Sequence, residues 1–85
     1  MVKEIVKKVL SEILGIEVRE EDRGETIEFF AYHHLIAYLC KVSEDTVYLW
    51  NKNFKTPQVL ERLKIQKSDE PYTRVDIKVF LGFST

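Results

Sequence analysis

The chain has 85 residues, 45% hydrophobic and 32% charged, with a formal net charge of −1. At this length it forms a single domain, residues 1–85, with a thin core, because only about 60–65% of the unfolded surface becomes buried. The composition excludes a disordered chain, and the charge excludes a polycation that holds duplex nucleic acid mainly by counterion release.

A single cysteine, Cys40, rules out an internal disulfide and every paired-cysteine motif. A reducing, cytoplasmic setting follows as the expectation. Cys40 lies in an apolar run and reads as a small core residue. No run approaches the roughly 18–20 apolar residues that span a bilayer, and the N-terminus is broken by charge, so no membrane partner is expected. Gln and Asn occur only twice each among abundant Lys, Arg, Asp and Glu, a bias found in proteins from hot environments. Charge is segregated. Residues 15–40 hold six acids and two bases, a net of −4, and residues 41–67 hold six bases and three acids, a net of +3.

In chain order, residues 2–14 predict an amphipathic helix, with Val2, Ile5, Val6, Val9, Leu10, Ile13 and Leu14 on one face and Gly15 as a left-handed cap. Residues 16–21 alternate as a half-buried strand, and Asp22-Arg23-Gly24 is a turn with Gly24 able to take a positive φ. Residues 25–42 are rich in aromatic and β-branched side chains. They predict two strands, about 25–32 and 35–42, broken at His33-His34, or else one long bent strand through the histidines. As a helix this segment would be apolar on every side. Residues 35–40 are apolar on both faces, which fits a central strand covered on both sides, or one covered by helices on one side and by a partner subunit on the other. Ser43-Glu44-Asp45 joins them to a returning strand over 46–51. Residues 51–56 form a polar loop, and Thr56 caps a helix that starts at Pro57 and ends near 64–66. After a loop over 66–72, residues 73–81 alternate as a last strand, with Val75, Ile77, Val79 and Leu81 inward. The expected fold is therefore α+β in the order α-β-β-β-β-α-β: a mostly antiparallel sheet of four to five strands with two helices packed on one face.

Few residues suggest chemistry. His33 and His34 are candidate general bases for a small hydrolase or nuclease, but adjacent strand residues point to opposite faces and cannot act as one clamp. No HxH, HExxH or His–Cys spacing exists, so no metal is expected. Asp76-Ile77-Lys78 has the acid–x–lysine pattern of metal-dependent nucleases without the partner carboxylate, and reads as a solvated strand face. The acids Glu17, Glu20, Glu21, Asp22, Glu25 and Glu28 read as a charged hairpin that discourages edge pairing. Glycines stand only at 15, 24 and 82, which excludes a phosphate-cradling loop, and no cofactor is expected.

One surface stands out. Lys52, Lys55, Arg62, Lys64 and Lys67 lie close in sequence to the rings of Trp50 and Phe54, a mixture of cations and stacking rings suited to nucleic-acid bases. Trp50, Tyr72, Phe80 and Phe83 exceed what two thin helices can cover, so a homodimer or other homo-oligomer is expected. The functional expectation is a small non-enzymatic binding module, homo-oligomeric, with regulatory nucleic-acid binding as its specific form. The alternatives are the histidine hydrolase and a protein–protein interaction or inhibitor module.

Overall fold

A computed structural model describes residues 2–83. Helix α1, Val2–Leu14, leads into strands β1, Val18–Asp22; β2, Thr26–Ala31; β3, His34–Cys40; and β4, Thr46–Trp50. Helix α2, Thr56–Leu63, strand β5, Tyr72–Asp76, and helix α3, Ile77–Phe83, follow. The strands form one antiparallel sheet in the order β1-β2-β3-β4-β5. The three helices lie together on one face, each touching the other two.

The predicted element order holds, but with a third helix in place of the second half of the last strand. Two local signals account for the change. The Ile77 N–H donates to the Asp45 carbonyl at 2.9 Å, closing the β4–β5 ladder. One residue earlier, Asp76 Oδ1 accepts the Lys78 N–H at 2.9 Å and caps the new helix. The helical turn then reverses the expected facing, so that Phe80 is fully buried and Leu81 is 41% exposed. Phe80 is therefore a core residue and not part of a subunit interface. Asp76 and Lys78 also do not share a strand face.

The inner face of the sheet carries Val18, Ile27, Phe29, Ala31, Leu39, Val47, Leu49 and Val75, packed against Val6, Val9, Leu10 and Ile13 of α1 and Val59, Leu60 and Leu63 of α2. Gly15 takes φ +68° and returns its N–H to the Ser11 carbonyl at 2.9 Å, closing α1 as its spacing predicts. Ser11 Oγ accepts the Val18 N–H at 3.2 Å and ties that helix to β1. Gly24 takes φ +93° in the β1–β2 turn.

Residues 25–42 are two strands and not one bent strand. The turn is Tyr32-His33, one residue earlier than expected, with Tyr32 at φ 60°. A non-glycine residue there costs about 1 kcal/mol, offset by the ladders on either side. The register shifts at Phe29/Phe30, a bulge that leaves both Ile36 and Ala37 buried. Thr56 is the first helical residue of α2 and not its cap; its hydroxyl donates to the Trp50 carbonyl at 2.5 Å instead. Cys40 is half-buried on the face away from the helices, and so is not a core residue.

The Lys41 ammonium, at 2.7 Å, and the Gly24 N–H, at 2.9 Å, hold the Asp22 carboxyl below the usual carboxylate range. A depressed folded pKa gives stability that is present above the unfolded pKa and lost as pH falls through the folded one. Lys41→Ala should raise the Asp22 titration midpoint in carboxyl NMR; an unmoved midpoint would remove Lys41 as the cause.

Candidate functional site

Among the described residues no helix covers the outer sheet face. Its side chains alternate with the core set, so antiparallel pairing brings the rings together. Tyr38 and Tyr48 are direct cross-strand partners, stacked at 4.9 Å between centroids and 14° between planes. Tyr72 meets both edge-on, at 6.3 and 5.2 Å. Phe30, Leu35 and Trp50 continue the face toward one end. All of these side chains are half-buried. Burial pushes the Tyr38 phenol above its ordinary range, with the neighbouring Tyr72 adding to it. Arg74 lies 5.8 Å from the Tyr72 centroid, and the Tyr72 hydroxyl and Glu70 carboxylate hold its guanidinium firmly charged.

The chain leaves this face through a corner built by two asparagines. Asn53 Nδ2 donates to the Leu35 carbonyl at 3.0 Å, while its Oδ1 accepts the Lys55 N–H at 2.8 Å. Asn51 Nδ2 donates to the carbonyls of Ser68 and Glu70 at 3.1 and 2.6 Å, and its Oδ1 accepts the Thr73 hydroxyl at 2.6 Å. Both asparagines are buried. They fix loop 51–55 against β3 and against loop 66–71, so the polar loop is rigidly placed.

Phe54 projects from that loop, 62% exposed. The Lys55 ammonium sits 5.2 Å from its ring centroid, and the His34 ring meets it edge-on at 5.5 Å. His34, Leu35, Trp50, Lys52, Asn53 and Phe54 line one shallow cleft. Lys52 also borders a second cleft with Asn51, Lys67, Ser68, Asp69, Glu70 and Pro71. Trp50, Lys52, Phe54, Lys55 and Lys67 thus gather at one end of the molecule. Arg62 and Lys64 do not join them. Arg62 lies over the Phe83 ring at 5.8 Å within the helical layer, and Lys64 forms the left-handed end of α2 at φ 59°.

The two histidines do not share a strand. His33 sits exposed in the β2–β3 turn and His34 opens β3. Among the described residues no carboxylate hydrogen-bonds to either imidazole. No group of three or more His, Cys, Asp and Glu side chains that could hold a metal occurs among those residues. No helix among them is long and apolar enough to cross a membrane.

No known protein family, no curated protein and no solved structure matches the chain.

Two groups were not singled out by the sequence as binding residues. His34 entered as a general-base candidate, and here it packs on a stacking ring. Of the Tyr38–Tyr48–Tyr72 cluster, Tyr72 is named by the sequence only as a subunit-interface ring, and Tyr38 and Tyr48 are legible only as period-two alternation, which does not say which face the helices take.

Proposed function

We propose that the chain is a small non-enzymatic binding module that self-associates and contacts single-stranded nucleic acid through the corner formed by His34, Trp50, Lys52, Phe54, Lys55 and Lys67. The observation that carries the ligand class is Phe54, a large ring 62% exposed yet held in place, with a lysine over its face and a second lysine beside it. A ring kept in water by a rigid loop contributes nothing to the core. Its face is available to a base, and the surrounding ammonium groups suit the phosphates on either side. Self-association is supported by the half-buried rings of the open sheet face, which hydrophobic burial would favour covering.

Trp50 is the sole tryptophan and reports directly. Titration with a single-stranded oligonucleotide of about 12 residues at low salt should quench its fluorescence. The affinity should fall with added salt at a log–log slope near about −2, as three lysines on single-stranded phosphates imply. Phe54→Ala should weaken binding by about 1–3 kcal/mol, the worth of one stacked base. Lys52→Ala with Lys55→Ala should flatten the salt slope. Absence of quenching and of retention at low salt would refute the nucleic-acid reading.

A further inference from the structure

The open sheet face is charged in a pattern that complements itself. One cross-strand row runs Glu21, Glu28, Tyr38, Tyr48, Arg74 across all five strands. It is acidic at the β1 end, aromatic in the middle and basic at the β5 end. The next row has the reverse sign: Arg23 stands beyond β1 with its N–H on the Thr26 carbonyl at 2.8 Å, Thr26 pairs with Cys40, and Thr46 pairs with Asp76, which closes the row on β5. Arg23 belongs to this face, since its guanidinium bonds both Glu21 and Glu28. On the other side of the tyrosine row, Arg19 at the β1 end is matched by the Tyr72 ring at the β5 end.

We infer that this face is a homodimer interface in which a second copy packs sheet to sheet about a two-fold axis running along β3. Such an axis keeps each position along the strands and exchanges β1 with β5. Every row then lies on its own reverse. Glu21 of one copy meets Arg74 of the other, Arg23 meets Asp76, Arg19 meets the Tyr72 ring, and Tyr38 meets its own counterpart. Packed sheets keep their strands within about 30° of one another, which carries the outer strands by only a few ångströms over this width. Phe54, Lys52 and Lys55 fall at the rim, at the same end in both copies, and remain open to a ligand, while Trp50 lies opposite the other copy's Phe30. The inference specifies the surface for the self-association proposed above and rests on that reading.

Two charge reversals test it. Arg74→Glu alone sets like charges opposite Glu21 twice per dimer, and Glu21→Arg alone sets them opposite Arg74 twice. Each single variant should weaken dimerisation at least about tenfold in light scattering. Mixing the two variants should restore the dimer, because every contact across the axis is then attractive. A misfolded variant could not be rescued by mixing. Cys40 gives a second readout. It is the sole cysteine, at one end of the axis, and two facing sheets lie about 10 Å apart. That is too far for a disulfide and within reach of a short bifunctional maleimide, which should join wild-type chains in pairs and leave Arg74→Glu unlinked.

A wild type that stays monomeric at about 100 µM, where a weak homodimer forms, would overturn both the interface and self-association itself. A wild-type dimer that either variant leaves intact, that mixing fails to restore, or that the maleimide does not link at Cys40 would overturn this interface alone. Nucleic acid on this face in place of a second copy would show as a monomer whose oligonucleotide affinity falls in Arg74→Glu. The dimer leaves that affinity unchanged.

Discussion

Phe80→Ala should destabilise the fold by about 3–5 kcal/mol, the cost of removing a fully buried phenyl ring and leaving its cavity. At a urea dependence of about 1 kcal/mol per molar for a chain this small, the midpoint should fall by several molar. A domain with a total stability of about 5–10 kcal/mol could lose most of its folded population. Phe80→Leu, which keeps most of the volume, should cost under about 1.5 kcal/mol and give a measurable transition. Leu81→Ala should cost under about 1 kcal/mol, since that side chain is 41% exposed. The contrast is the informative part. A strand through residue 81 would bury Leu81 and expose Phe80, so the order of the two effects would invert. Comparable losses at both positions would count against the helix.

The same residues show why the end of the chain was misread. Val75, Ile77, Val79 and Leu81 alternate, and the first three are β-branched and favour strands. Yet Ile77, Phe80 and Phe83 also recur at helical spacing, and Asp76 is a good cap. Over seven residues the two periods overlap, and the decision is made by what lies beneath. α3 packs against both α1 and α2, and the helical turn places Phe80 in the core. The Tyr32-His33 turn was misplaced for a different reason. No glycine or asparagine marks it, and pairing of Ala31 with His34 imposes a left-handed Tyr32. By contrast α1, the Gly15 cap and the Gly24 turn carry their own local chemistry and were legible directly.

The candidate site was legible in part. Trp50, Lys52, Phe54 and Lys55 are close in sequence and stay close in space, because Asn51 and Asn53 tie the loop that holds them. Arg62 and Lys64 are only slightly further along, but α2 carries them into the helical layer. Nearness along a chain survives folding within one loop and is lost along a helix, while Lys67, beyond α2, returns to the corner because Asn51 ties loop 66–71 to loop 51–55. His34 reaches the cluster from β3, and nothing in its neighbours marks that long-range contact. The open face has the same difficulty. Tyr48 and Val47 are both plausible core residues, and the choice between their faces falls to the helices.

Asn51 therefore supports both the fold and the proposed site, and Asn51→Leu tests the two together. The leucine is near in size and removes all three side-chain hydrogen bonds. The Thr73 hydroxyl loses its acceptor, and the carbonyls of Ser68 and Glu70 lose their donor. An unsatisfied buried polar group costs about 1–3 kcal/mol, and the two carbonyls are near enough to water to recover part of it. The expected loss is about 2–3 kcal/mol in urea unfolding. Thr73→Val should cost about 1–2 kcal/mol, because the Ser68 N–H at 3.0 Å also loses its acceptor. The double variant should cost less than the sum, as members of one network couple. Oligonucleotide affinity should fall as well, since loops 51–55 and 66–71 carry Lys52 and Lys67 and would no longer be held in register. Full additivity, with affinity unchanged in the folded variant, would show that the asparagine merely fills space and that Lys52 and Lys67 need no common support.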